Sequence, residues 1–239
     1  MKKRHILGAA LIGLTSLMPV MGSAATASFN FADLADTYAA GNGGHEGSWD
    51  QVTGGTLTDG AVTIVNAKGT YTGDPTGDNT HAFFDSSDAS GSAGLGVCHS
   101  GWIGSVSGCS SNQPGADTSD DNITVGETLT LLFNTGVFFT DILFKNASHG
   151  LFNGSLVING NVYSIAAGLL AAPGTLGHNA TFTFAYDPAS SPDSEVYISK
   201  IAVDTNPDNN PTPVPLPAGG LLLLGGLAGL GALKRKRKA

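Results

Sequence analysis

Along the middle of the chain, apolar and polar residues alternate in short runs, and Gly, Asn and Asp stand between the runs. A period of two sends successive side chains to opposite faces of a strand, so each run predicts a strand with one buried face. The runs cover residues 27–31, 48–52, 61–66 with an extension at 70–72, 81–84, 94–98, 126–133, a stretch centred on 139–145, 154–159, 161–165, 181–186 and 196–203. Residues 33–40 read as a short helix or a loop. Asn159-Gly160, between two runs, is the strongest short hairpin signal, because both residues tolerate the positive φ of a type I′ turn. No alternation of strands with helical patterns occurs, which argues against a parallel α/β sheet. The pattern predicts an all-β fold: a single antiparallel β-sandwich, jelly-roll-like, over residues 26–203.

Both ends break this pattern. Residues 1–4 are basic at three of four positions, residues 6–20 are largely apolar, and small residues follow at Ser23, Ala24, Ala25 and Ala27. That is the layout of a secretory signal peptide, with cleavage expected after Ala25 or Ala27, and it makes residues 1–25 a processing segment. At the other end, 204–213 is an Asn/Pro-rich spacer. Then come Val214, Pro215, Leu216, Pro217 and Ala218, an uncharged Gly/Leu span, and a Lys/Arg cluster at 234–238. From Leu216 to Leu233 the span is 18 residues, the lower limit for a helix crossing a bilayer. Cations are costly to translocate, so the cluster holds the C-terminus on the cytoplasmic side and leaves the body outside.

The order of Pro-rich box, Gly/Leu span and basic end in 214–239 resembles the VPLPA-type variant of the PEP-CTERM sorting signals of Gram-negative bacteria. The resemblance implies recognition, and cleavage near Val214–Ala218, by a membrane-embedded exosortase-type transpeptidase. It also implies delivery from an inner-membrane intermediate to the cell surface or to extracellular polysaccharide. The box residues would then be a substrate for another enzyme. Residues 94–149 more loosely resemble the β-rich ectodomains that such proteins carry, and this transfers no catalytic residue.

Composition sharpens the picture once the ends are set aside. Only Lys68, Lys145 and Lys200 remain between 26 and 213, against all nineteen Asp and Glu, for a net charge near −16. Such a surface repels phosphate backbones, which excludes nucleic acid as a partner, and it suits divalent cations. Few Lys, Glu and Arg are present to clothe exposed helices, in keeping with a β fold.

Candidate chemistry is sparse. Cys98 and Cys109 are the only cysteines, and in an exported chain they read as a disulfide closing the Gly-rich loop 99–108. A bridge over a loop of this size stabilises by roughly 3 kcal/mol on the entropic model. Trp102 inside the loop either stacks on a sugar or plugs one end of the sandwich. Asp117, Asp120, Asp121 and Asn122, followed by Glu127, offer a set of hard oxygen ligands, with Asp120, Asp121, Asn122 and Glu127 as the calcium candidates. Asp74, Asp78 and Asn79 form a weaker group. Asx-rich turns also occur for ordinary turn chemistry, which is the leading reading of both. Zinc-type His spacing is absent, and His45-Glu46 lacks the second His of a zincin. Neither a Gly-x-Ser-x-Gly elbow nor a phosphate-binding loop occurs. Paired carboxylates for glycoside cleavage are set in space rather than in sequence.

The leading expectation is a non-enzymatic exported surface or matrix protein, sorted by an exosortase-type system and associated with exopolysaccharide, with no cofactor. The alternatives are a carbohydrate- or calcium-dependent binding module and an extracellular hydrolase.

Overall fold

The computed structural model describes residues 25–44, 46–74, 80–86, 92–99, 121–189 and 195–206. Twelve strands and two short α-helices form among them. The strands are β1 (Thr26–Asn30), β2 (Gly47–Ser48), β3 (Leu57–Asp59), β4 (Val62–Tyr71), β5 (Thr80–Asp85), β6 (Gly94–His99), β7 (Glu127–Asn146), β8 (Gly154–Ile158), β9 (Asn161–Ala166), β10 (Leu169–Leu170), β11 (Asn179–Tyr186) and β12 (Val196–Asp204). The helices are α1 (Phe31–Gly41) and α2 (Trp49–Thr53). The all-β expectation holds, and every strand pairing is antiparallel.

The architecture is a closed five-strand barrel with added strands rather than specifically a jelly-roll sandwich. The cause is β7. The pattern predicts two strands, at 126–133 and around 139–145, but the backbone runs through Gly136 as one strand of 20 residues. Its first half pairs with β4 and β11, and its second half with β12 and, at Leu143, with β10. The ladder β7–β11–β8–β9–β10 therefore returns to β7 and closes. On the other side β12 continues through β6 and β5 to β2, while β1 lies beside the C-terminal part of β12. Gly136 is where the two halves of β7 meet. A Cβ there would lie 2.4 Å from the His178 ring, which stacks at 4.7 Å on Phe138.

Phenylalanines fill the interior. Phe139 packs edge-on against Phe133, Phe182 and Phe184, all buried. A second group joins the helices to the sheet, with Trp49 stacked on Phe84 and Phe31 edge-on to it. Residues 48–52, expected as a strand, are instead mostly α2: Ser48 and Gln51 form a capping box and Gly54 ends the turn in the left-handed region. The 33–40 segment is α1, capped by Asn30. The Asn159-Gly160 turn forms as expected, with φ of 50° and 78°. Among the described residues no helix is long and apolar enough to cross a membrane. Residues 1–24 of the expected signal segment, the Val214–Ala218 box and the span after it lie outside the described residues.

Candidate metal centre

Strand alternation divides the β12–β6–β5–β2 sheet into two faces. Ile198 pairs with Leu95, Leu95 with Phe84, and Phe84 with Gly47. These side chains belong to the hydrophobic core. The neighbouring positions, Tyr197, Gly96, Asp85 and Glu46, fall on the opposite face. Asp85 ends β5, and Glu46 lies one residue beyond the Gly47–Phe84 pair, so the two acids stand side by side at the end of β2 and β5.

The chain crosses this face again at 121–123. Ile123 forms a bridge to Val196, with both backbone hydrogen bonds made. The crossing is close because Gly96 has no side chain: a Cβ there would lie 2.0 Å from the Asp121 carbonyl oxygen and 2.8 Å from Asn122 Cα. Asp121 is thereby set over the sheet beside Asp85 and Glu46. The three carboxylates each place an oxygen within 4.8 Å of the others. Asp85 is 5 % exposed and Asp121 3 %, while Glu46 is half-buried.

Two more side chains hold the acids in place. Tyr197 donates its hydroxyl to Asp121 Oδ1 at 2.8 Å, and His149 Nε2 lies 2.9 Å from Asp85 Oδ2. His149 reaches in from the turn after β7, where it adopts φ 58°. Asn146 fixes that turn by accepting from the backbone N–H groups of Ser148 and Gly150. The electrostatics are those of crowded negative charge. Burial first, then the charges of Asp121 and Asp85 and the hydrogen bonds to them, push the Glu46 carboxyl up to about 10. Burial and the same two charges push the Tyr197 phenol up. Next to Asp121, Asn122 is 5 % exposed and its Oδ1 is buried with no hydrogen-bond partner. Its side chain bonds to the Tyr197 hydroxyl, which places the amide within the same group.

Of the residues expected to bind calcium, Asp121 and Asn122 enter this cluster and Asp120 lies outside the described residues. Glu127 goes elsewhere. It is buried against His99, with Nδ1 to Oε1 at 2.7 Å, and its Oε2 accepts from the N–H and hydroxyl of Thr124. Tyr71 stacks on the far side of His99 at 4.1 Å. Asp74 accepts from Thr80, its expected companions Asp78 and Asn79 being outside the described residues. Cys98 is buried in β6 opposite His81, and Cys109 and Trp102 lie outside the described residues. Glu46, Asp85, His149 and Tyr197 carry no spacing signal. The one hint is that Asp85 ends an apolar strand at a position that alternation would leave facing out. No protein-family model, curated protein or solved structure matches the chain.

Proposed function

We propose that the chain is an exported, non-enzymatic surface or extracellular-matrix protein, processed by an exosortase-type transpeptidase and associated with exopolysaccharide. The observation that carries this reading is the order of the tail: Val214-Pro215-Leu216-Pro217-Ala218, an uncharged span, then five consecutive cations. A signal-peptide layout at the opposite end agrees with it. Between them lies a strongly acidic β body. Its two ends are adjacent: Ala25 N–H donates to Thr205 Oγ1 at 3.0 Å, and Thr205 N–H donates back to the Ala25 carbonyl. A body built this way hangs from one point, which suits presentation from a membrane-held tail. The acids do not suit one alternative, glycoside cleavage. Glu46 hydrogen-bonds directly to Asp85 and Asp121, whereas glycoside cleavage needs two carboxyls held about 5–9 Å apart across a sugar.

The test is to follow mass and location in cells with the box intact and with Pro215→Ala plus Pro217→Ala. The intact chain is expected to lose the mass of its tail and leave the membrane fraction, while the variant stays there at precursor mass. Identical mass and location for both would defeat the sorting reading.

A further inference from the structure

The acids on the outer face of the β12–β6–β5–β2 sheet, together with an unpaired amide oxygen, form a set of ligands. We propose that Glu46, Asp85, Asp121 and the Asn122 side-chain oxygen bind one hard divalent cation of the calcium type. The inference does not depend on the sorting signal.

Two independent observations meet here. One is the convergence of three carboxylates within 4.8 Å at a buried place. The other is the Asn122 Oδ1, buried and without a donor, on an amide that bonds to the Tyr197 hydroxyl. A buried carbonyl oxygen needs a partner, and an N–H or a cation can be one. Tyr197 reaches Asp121 and His149 reaches Asp85. A divalent ion would bridge the three carboxylates and satisfy the amide together.

Ligand type selects the ion. The set is all oxygen, with no thiolate, which disfavours zinc and copper. The ligands come from three separate segments, the approach to β2, the end of β5 and the 121–123 crossing. Calcium accepts six to eight oxygens in irregular arrangements, mono- or bidentate, with water completing the shell, whereas magnesium demands a near-ideal octahedron. Tyr197 and His149 act as outer partners that orient Asp121 and Asp85.

The position of the set says what the ion does. It ties the 121–123 crossing, just ahead of β7, to the β2–β5 edge. The role is a structural staple, at the sub-millimolar to millimolar affinity typical of extracellular modules.

The test uses the whole chain, purified in detergent and stripped with EDTA. Thermal unfolding is recorded in EDTA, in millimolar calcium and in millimolar magnesium, and terbium luminescence is titrated and competed with calcium. The wild type is expected to melt several degrees higher in calcium than in EDTA, and less so in magnesium. Terbium emission should be sensitised through Tyr197 and displaced by calcium. Glu46→Gln and Asp121→Asn should each weaken calcium at least tenfold and abolish the shift. In EDTA these variants should melt no lower than the wild type, because Asp121→Asn removes a charge from the cluster and Glu46→Gln keeps a hydrogen-bond donor toward Asp85 and Asp121. Asp141→Asn, on the exposed side of β7, controls for diffuse binding to an acidic surface and should keep the full shift. An equal melting temperature of the wild type in EDTA and calcium would overturn the proposal. So would a calcium shift that survives in both Glu46→Gln and Asp121→Asn.

Discussion

At the scale of single residues, the most consequential position is one without a side chain. Gly96 lies under the Asp121–Asn122 backbone, and any Cβ there meets main-chain atoms that have no flexible end to move aside. Gly96→Ala is therefore expected to lift the crossing off β6. The cost is at least the 1–3 kcal/mol typical of overpacking, about the upper end because the clash is with backbone. Urea unfolding measures the loss, and the calcium response should fall with it. The His99–Glu127 pair is the other sensitive point. Removing the imidazole by His99→Ala takes one partner from a fully buried carboxylate that keeps the two Thr124 donors. Breaking a buried pair in this way costs about 3–5 kcal/mol, and the Thr124 bonds put the expectation at the low end. An unchanged urea midpoint would show that the pair contributes little.

At the scale of elements, β7 decides the architecture. A strand of 20 residues spans the barrel and the added sheet together, and the two irregularities in its pairing with β12 let it bend without ending. Its centre is held by Phe139, which meets three other phenylalanines. Phe139→Ala should cost about 3–5 kcal/mol by loss of burial and cavity formation, read as a lowered urea midpoint with little change in slope. By contrast the β8–β9 hairpin is fixed locally. Asn159 supplies the turn, and its side chain also accepts from the Thr183 N–H, pinning the hairpin to β11. The same residue thus serves a local signal and a tertiary contact.

At the scale of the whole molecule, the first and last strands close the body on itself. Thr26 pairs with Asp204 and Ala27 with Val203. A mature chain starting at Thr26 keeps all of β1, while one starting at Ser28 loses two rungs and the buried Ala27. The longer form should melt higher, and mass spectrometry of the exported protein should find Thr26 at its N-terminus. Recovery of a chain starting at Ser28 with the same melting temperature would count against this.

Strand identity was legible in the chain because alternation and turn residues act over a few neighbours. Residues 154–165 and 181–186 read directly as strands and a hairpin for that reason. The 48–52 segment misled because a capping box and a left-handed Gly54 outweigh a weak alternation. The continuity of β7 was hidden because Gly136 looks like a break until His178 packs over it. Half of the candidate site, Asp121 and Asn122, showed as an acidic cluster. The other half did not, since Glu46 and Asp85 reach it only through strand register. Register is set by pairing partners far apart in the chain, and no local pattern encodes it. The amino-acid order by itself determined an acidic all-β body. Only the tertiary structure decided which carboxylates share a face, because that follows from which strands lie side by side.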